Sequence, residues 1–124
     1  MLAVPLHGYG PLRYRRKAYE GSADMITEIA QIEIKPGSEE DFEAAVSQAE
    51  TIFKRCKGWK SCELHRSVER PSRYRLLIKW KTLENHVVDF RESSNFTEWR
   101  ELVGPFFASP PEVEHTETVT AFSG

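Results

Sequence analysis

The sequence lacks several features that mark particular classes of protein. Its 124 residues include only two cysteines, Cys56 and Cys62, and its formal net charge is −2. Two cysteines are too few for a disulfide framework, and their spacing does not fit a zinc-binding Cys-x-x-Cys pair. The slightly acidic balance lacks the basic footprint of a general nucleic-acid-binding protein, and no apolar run approaches the roughly 20 residues of a membrane span. We therefore expect a cytoplasmic protein that binds neither nucleic acid nor membrane, with both thiols as small apolar core residues.

Residues 1–24 differ in composition from the rest of the chain. They carry a basic cluster, Arg13, Arg15, Arg16 and Lys17, together with several glycines and prolines. A secretory signal needs an apolar core of about 7–15 residues, which this stretch lacks, and the glycines and prolines oppose the amphipathic helix of a mitochondrial leader. We expect a flexible extension, with Met25 as an alternative start, rather than a binding arm. The folded domain is then residues 25–124.

Within residues 25–124, alternating and helical patterns follow one another in the order strand, helix, strand, strand, helix, strand. Alternation predicts strands at 26–34, 61–69, 73–81 and 112–122. One helix is predicted from the N-cap Ser38 to the stop at Gly58. A second helical region starts after Thr82 and is expected to kink or restart near 93–95. This order predicts the split βαβ, ferredoxin-like α+β fold.

The predicted topology leaves one face of the sheet uncovered. Two right-handed crossovers place both helices on one face of a four-stranded, antiparallel-rich sheet. The other face mixes Ile29 and Leu77 with polar side chains. Such a face is too apolar to be a simple wet surface, so we expect a homodimer made by packing two sheets face to face.

Four stretches of the sequence resemble the antibiotic-biosynthesis-monooxygenase domain. The resemblance covers residues 25–122 and implies a dimeric α/β barrel, in which each subunit holds a pocket between its sheet and its helices. It is carried by Glu63-Leu64-His65-Arg66-Ser67 with the turn at Pro71, by Trp80-Lys81-Thr82-Leu83-Glu84-Asn85-His86, by Phe90-Arg91-x-Ser93-x-x-Phe96-x-x-Trp99, and by Gly104-Pro105-Phe106-Phe107 followed by Pro110-Pro111-x-Val113-x-His115.

The resemblance implies oxygen chemistry without a cofactor. The best-understood enzymes of that family oxidise phenols, anthrones or quinols with O2 and use no metal, flavin or nicotinamide. An electron-rich phenolate can itself reduce O2, so the protein needs only to exclude water, remove a proton and stabilise the anion. The same superfamily also hosts isomerases, haem-degrading enzymes and proteins without known activity, so the fold alone does not fix the reaction.

The family's functional residues carry over only in part. Trp80 matches the tryptophan that anthrone-oxidising members place at the end of the third strand. Their asparagine four residues earlier and tyrosine six residues later correspond to Leu76 and His86 here. Haem-degrading relatives use an asparagine, a tryptophan and a histidine. The corresponding places hold other residues, which argues against haem degradation: Ala30 or Gln31, Phe90, and Trp99 or Arg100.

His86 and Trp80 are therefore the candidate catalytic residues. Imidazole titrates near neutral pH, so His86 is the candidate base, and the Trp80 indole would form an aromatic wall with a directed N–H. Core packing explains a buried tryptophan and a satisfied helix histidine equally well. The candidate substrate-binding residues are Arg66, Leu76, Phe90, Phe96, Trp99, Phe106 and His115.

Two of these assignments compete with structural or metal-binding alternatives. Arg66 can hold an anionic substrate or pair with a glutamate, and the aromatic residues can line a pocket or fill a core. Glu63 and His65 share a strand face but have no third ligand at a suitable spacing, so no metal is expected.

The leading hypothesis is a cofactor-independent monooxygenase that uses O2 on a small aromatic, phenolic or quinone-like substrate. One alternative is a non-catalytic, dimeric ligand-binding or stress-response module of the same fold. Another is a metal-free isomerase of a small lactone or ring compound.

Overall fold

The computed structural model describes residues 25–124 and contains one open, four-stranded antiparallel sheet. The predicted extension over residues 1–24 lies outside this range. The strands are β1 (Ile26–Glu33), β2 (Trp59–Arg66), β3 (Arg73–Trp80) and β4 (Glu112–Thr116). Their order across the sheet is β2-β3-β1-β4, and every neighbouring pair is antiparallel. This is the ferredoxin-like α+β fold that the order of patterns predicts. None of the helices in this part of the chain is long and apolar enough to cross a membrane.

Alternation along β1 decides which side chains face the helices. Ala30 and Ile32 are buried on the helix-covered face, whereas Ile29 and Gln31 lie on the open face, as predicted. The same alternation puts Glu28 on the buried face, where its side chain is only 1% exposed. A carboxylate at such a position needs partners, because burying an unpaired charge is costly.

The first crossover is helical but is not one continuous helix. It divides into α1 (Glu39–Gln48) and α2 (Glu50–Phe53). The break falls at the fully buried Ala49, whose N–H lies within hydrogen-bonding distance of the carbonyl oxygens of both Ala45 and Val46. The helix begins after Ser38 as predicted. However, Ser38 makes no side-chain capping bond among the described residues, and the Glu39 carboxylate instead accepts bonds from Gly37 N–H and Ser72 Oγ.

The second crossover restarts where the sequence predicts, but its first part is a π-helix. The π-helix spans Asn85–Phe90, and α3 follows at Ser94–Val103. Thr82 and Asn85 bond reciprocally, side chain to backbone N–H, which makes a capping box with asparagine in place of the usual glutamate.

A glycine fits closely against the start of this π-helix. Gly58 ends the first crossover with a φ of +78°, the left-handed conformation that favours glycine, and its carbonyl accepts a bond from Lys81 N–H. A Cβ built on Gly58 would lie 1.9 Å from Asn85 Oδ1. The loop after α2 therefore packs directly on the residue before His86.

Two sequence predictions about the strand ends are wrong. The last strand stops at Thr116, and residues 117–124 are exposed and form no regular strand, so Val119 does not face the core. Val68 falls within the strand predicted at 61–69, but it lies in the connection between β2 and β3 and is 90% exposed. Strand pairing ends before both positions, so the alternating sequence pattern there does not correspond to a paired strand.

The space between helices and sheet is filled mainly by aromatic and branched side chains. Phe53 is at the centre of this core, with ring contacts to Trp80, Phe90 and Trp99. The apolar sets of the β2–β3 hairpin meet as predicted, with Cys62 opposite Ile78 and Leu64 opposite Leu76. Most apolar residues at helical spacing are buried, whereas Val46 and Cys56 are only partly buried. The buried ones are Phe42, Ala45, Ala49, Ile52, Phe53, Leu83, Val87, Phe90, Phe96, Trp99, Val103 and Phe107.

Candidate acid–base site

Trp80 and His86, the two candidate catalytic residues, lie against each other. Their ring planes differ by 15° and their centroids are 5.4 Å apart. Trp80 is the last residue of β3 and His86 lies in the π-helix that follows, so the short connection folds one ring over the other. Both side chains are 0% exposed, and Phe90 packs against both of them. They converge in a filled interior rather than on an open cavity.

Glu28 joins these two rings, although the sequence analysis did not single it out. Trp80 Nε1 donates to Glu28 Oε1 at 3.0 Å, and His86 Nε2 lies 3.3 Å from the same oxygen. The signal was available in the sequence: Glu28 has the same parity along β1 as Ala30 and Ile32, so an acidic residue was bound to fall on the inner face.

His115 extends the contact from His86 to the edge of the sheet. His115 Nε2 lies 2.7 Å from His86 Nδ1, and His115 pairs directly with Glu28 across β1 and β4. Val113 and His115 both turn toward the helix side of β4, as alternation predicts. Glu28, His86 and His115 thus form a continuous line of polar contacts, which we call the acid–base chain.

The acid–base chain is linear rather than convergent. His86 directs one ring nitrogen to Glu28 and the other to His115, so the three groups do not face a common point. Among residues 25–124 no group of three or more His, Cys, Asp or Glu side chains is arranged to hold a metal ion. The geometry suits proton transfer between neighbours better than metal coordination.

Burial keeps both histidines of the chain neutral. Desolvation lowers the pKa of His86 well below 6.5, and the nearby His115 and Arg91 lower it further. Desolvation also lowers the pKa of His115, to about 4. Each ring at neutral pH therefore carries one N–H and one acceptor nitrogen.

A cleft of about 450 Å³ lies at the opposite edge of the sheet, between β2 and the helices of the first crossover. We call it the edge cleft. Trp59 and Phe53 stack at an interplanar angle of 16° in its wall, and the Trp59 indole N–H is buried with no hydrogen-bond partner among residues 25–124. Its volume is in the range of sites for small organic ligands. The lining residues are Val46, Ser47, Glu50, Phe53, Trp59, Lys60, Ser61, Cys62 and Leu64.

One row of residues links the edge cleft to the acid–base chain. Cys62, Ile78, Glu28 and His115 pair with one another in turn across β2, β3, β1 and β4. Neighbouring strands are about 4.8 Å apart, so Cys62 and Glu28 are separated by about 10 Å. Burial raises the pKa of the Cys62 thiol to about 12, and the carboxylates of Glu28 and Glu63 add to the shift. Cys62 is therefore an inert wall of the cleft, in agreement with its predicted structural role.

The other predicted substrate-binding residues lie apart from the acid–base chain. Arg66 is exposed. It lies over the Tyr74 ring, with its Nη1 3.5 Å from Glu43 Oε2, so it adopts the alternative role of pairing with a glutamate. Leu76 is buried between Ala30 and Leu64 in the middle of the sheet.

The predicted aromatic residues serve mainly as core. Phe96 packs edge-on against Phe90, Trp99 contacts Phe53, and Phe106 lies at the far end of the core beside Phe42. The earlier metal candidates Glu63 and His65 bond to each other at 2.8 Å on the open face of the sheet.

Comparison with known proteins identifies the family. The model of the family described as "Antibiotic biosynthesis monooxygenase" matches residues 25–102. The chain therefore belongs to this family, as the sequence motifs indicate. It is also 40% identical over 95 residues to the uncharacterized protein YczJ of Bacillus subtilis, a match that spans 77% of this chain and all of the relative.

Solved structures agree with the fold. A Bordetella bronchiseptica protein, named provisionally as an antibiotic biosynthesis monooxygenase, is 52% identical and superposes with a TM-score of 0.77 over 78% of this chain and 99% of its own. SnoaB, a cofactor-independent oxygenase from Streptomyces nogalater, superposes with a TM-score of 0.62 over 82% of this chain and 97% of its own. SnoaB is only 16% identical, so that likeness supports the fold alone.

Proposed function

We propose that this chain is a cofactor-independent monooxygenase of a small aromatic, phenolic or quinone-like substrate. The observation that carries the proposal is the buried contact of Glu28 and His86 beside the indole of Trp80, in a chain of the antibiotic-biosynthesis-monooxygenase family. A carboxylate in contact with an imidazole, away from water, is suited to taking a proton from a weakly acidic substrate.

The proposed reaction needs one proton acceptor and a dry site. A phenol or anthrone loses a proton, and the resulting anion passes an electron to O2. One oxygen atom ends in the product, while the other leaves as water with two hydrogens from the substrate. Because both nitrogens of His86 are engaged, a proton from the substrate reaches His86 through Glu28 or His115. The acid–base unit is then the whole chain rather than His86 alone.

The edge cleft is the proposed entrance for the substrate. Its stacked Phe53–Trp59 wall suits a flat ring, and the buried Trp59 N–H can donate to a ligand oxygen. Phe53 lines the cleft and contacts Trp80, and Ile78 lies between Cys62 of the cleft and Glu28. A substrate ring must therefore displace Phe53 to approach Trp80. We also propose that the functional unit is a homodimer through the open sheet face.

Oxygen uptake by metal-stripped protein tests the function, with a panel of anthrones, hydroquinones and phenols. We expect consumption of O2 with at least one class and the appearance of a quinone or quinone-like product. Activity that disappears with chelator and returns with added metal would contradict the cofactor-free mechanism.

A ligand-binding module without catalysis is the second candidate. It is favoured by the complete burial of Trp80 and His86 behind Phe53, because a filled interior leaves the rings no direct access to a bound ligand. Tight binding of one aromatic compound in the edge cleft, with no oxygen uptake across the panel, would support this candidate over the monooxygenase.

A further inference from the structure

The acid–base chain has one buried end and one end near the surface. Glu28 and His86 are almost completely buried, whereas His115 lies on the edge strand β4 and is only partly covered. The edge cleft lies at β2, the other edge of the sheet. The chain therefore runs from the interior toward the side of the domain opposite the cleft.

The same contacts accommodate two proton arrangements. With Glu28 ionised, His115 Nε2–H donates to His86 Nδ1, and His86 Nε2–H donates to Glu28. With Glu28 protonated, the direction reverses: the carboxyl O–H donates to His86 Nε2, and His86 Nδ1–H donates to His115 Nε2. The 2.7 Å distance between His86 Nδ1 and His115 Nε2 serves both arrangements. The 3.3 Å contact between His86 Nε2 and Glu28 is longer and not aligned as a hydrogen bond, so a small rotation of the Glu28 carboxyl group accompanies transfer at that end.

We propose that Glu28, His86 and His115 form a proton relay between the interior beside Trp80 and solvent at the β4 edge, with His115 as the outer end. The proposal rests on the proposed function, because the relay sets the protonation of Glu28 for each turnover. In the outward direction the Glu28 proton moves to His86 Nε2, the Nδ1 proton of His86 moves to His115 Nε2, and the Nδ1 proton of His115 passes to water. One proton crosses and no electron moves.

The electrostatics of the chain suit a relay of neutral rings. The ionisable groups that act on His86 include Glu28 from β1, His115 from β4 and the charge of Arg91, which follows the π-helix. Burial and the nearby Arg91 disfavour a resting imidazolium, and the pKa of His86 is well below 6.5. A cation on the ring is then only transient, so protons pass along the chain instead of accumulating in it.

Removal and chemical replacement of the outer ring test the relay in the full chain. We expect His115→Ala to lower oxygen uptake by at least about 100-fold, the typical contribution of general acid–base catalysis. Added imidazole should restore much of that loss, because His115 lies on the edge strand and is only partly buried, so its removal leaves a space that a small ring can enter. The control is Glu40→Ala, which removes an exposed ionisable group on α1, away from the open face and the acid–base chain, and should change neither the rate nor its response to imidazole. Equal activity in His115→Ala and the parent, or a loss that imidazole does not restore in folded protein, overturns the relay.

A second measurement does not depend on turnover. Exchange of the His86 ring N–H with solvent, followed by NMR, should slow by at least about tenfold in His115→Ala when the acid–base route is removed. His115→Asn serves if the alanine variant does not fold. Unchanged exchange overturns the relay even if the protein oxidises phenols. Slowed exchange that imidazole reverses, without turnover on any substrate, supports the relay and contradicts the monooxygenase.

Discussion

Glu28 and His115 are direct cross-strand partners on β1 and β4, and both side chains turn to the helix-covered face of the sheet. Paired residues on one face of an antiparallel sheet have Cβ atoms about 4.5–5.5 Å apart. An apolar pair would be ordinary at this position. A carboxylate and an imidazole, joined by His86 from above, instead put three ionisable groups in contact inside a small domain.

Replacement of the two stacked rings should separate proton transfer from packing. His86→Ala removes the middle of the acid–base chain and should lower turnover about 10²- to 10⁴-fold. Trp80→Phe keeps an aromatic ring and loses one N–H, so it should cost only about tenfold, in line with the modest net value of a hydrogen bond. Oxygen uptake by folded variants measures both. A larger loss for Trp80→Phe would assign the main role to the indole.

Loss of the Glu28 carboxylate should reduce stability. Glu28→Leu leaves the Trp80 indole N–H without its acceptor in the interior, which should cost about 1–3 kcal/mol of unfolding free energy. Glu114→Leu, one strand over on the open face, is the control and should change stability by less than about 0.5 kcal/mol. Urea denaturation measures both values. Equal effects would mean that the Glu28 contacts contribute little to the fold.

Stability should decrease as the pH falls below the ordinary histidine range. The unfolded chain binds protons on His86 and His115 near pH 6.5, whereas the folded chain resists protonation of His115 until about pH 4 and of His86 to well below 6.5. Unfolding therefore takes up protons, and His115 should remove about 2 kcal/mol of unfolding free energy by pH 5, with His86 acting in the same direction. The difference between the parent and His115→Asn isolates this term, with Val113→Ala as a packing control. If the stability of the His115→Asn variant keeps the full pH dependence of the parent, the assignment of this effect to His115 is refuted.

The open face of the sheet should form a dimer. Ile29 and Leu77 are paired directly across β1 and β3 on that face. A two-fold interface contains each substitution twice, so Leu77→Asp should give monomers or unfolded protein. Light scattering on the unmodified chain should give twice the mass of one chain. Gln48→Asp, an exposed position on α1 on the other side of the sheet, tests whether added charge alone produces the effect; a monomeric parent would disprove the dimer.

Closing the edge cleft should block aromatic ligands without disturbing the acid–base chain. Ser47 lies on α1 at the cleft, so Ser47→Trp should abolish binding or turnover of an aromatic compound and leave the melting temperature nearly unchanged. Gln48→Trp adds the same ring one residue further along, beside the groove between α1 and α3, and should have little effect. Full activity in Ser47→Trp would place the entrance elsewhere.

The elements were predictable because residue periodicity reports burial directly. Alternation along β1 and β3 and the helical stripe from Phe42 to Phe53 each matched a buried face in the structure, although the stripe was predicted to continue to Cys56. The break at Ala49 and the π-helix at Asn85–Phe90 were not predictable, since both depend on how backbone carbonyls are shared after packing. The ends of the strands could not be predicted from the alternating pattern either, because they depend on where the partner strand stops.

The sequence pointed to Trp80, His86 and His115 as site residues but not to Glu28. Trp80, His86 and His115 stood out as residue types in suitable positions, and the structure brings all three together. Glu28 was overlooked among the many acidic residues, because a charged residue in a strand is usually assumed to face solvent. Arg66 was expected to hold an anionic substrate or to pair with a glutamate, but its contact with Glu43 involves a helix whose position the sequence did not fix.

The fit of Gly58 against Asn85 has a consequence for how this sequence can vary. Any side chain at position 58 would occupy the space of the Asn85 amide, which bonds to Thr82 and Asp89 and precedes His86. Gly58→Ala alone should displace the start of the π-helix, and with it the imidazole. Gly58→Ala combined with Asn85→Gly should be better tolerated, since the second change vacates that space. The two positions are therefore expected to vary together: a larger residue at position 58 requires a smaller residue at position 85.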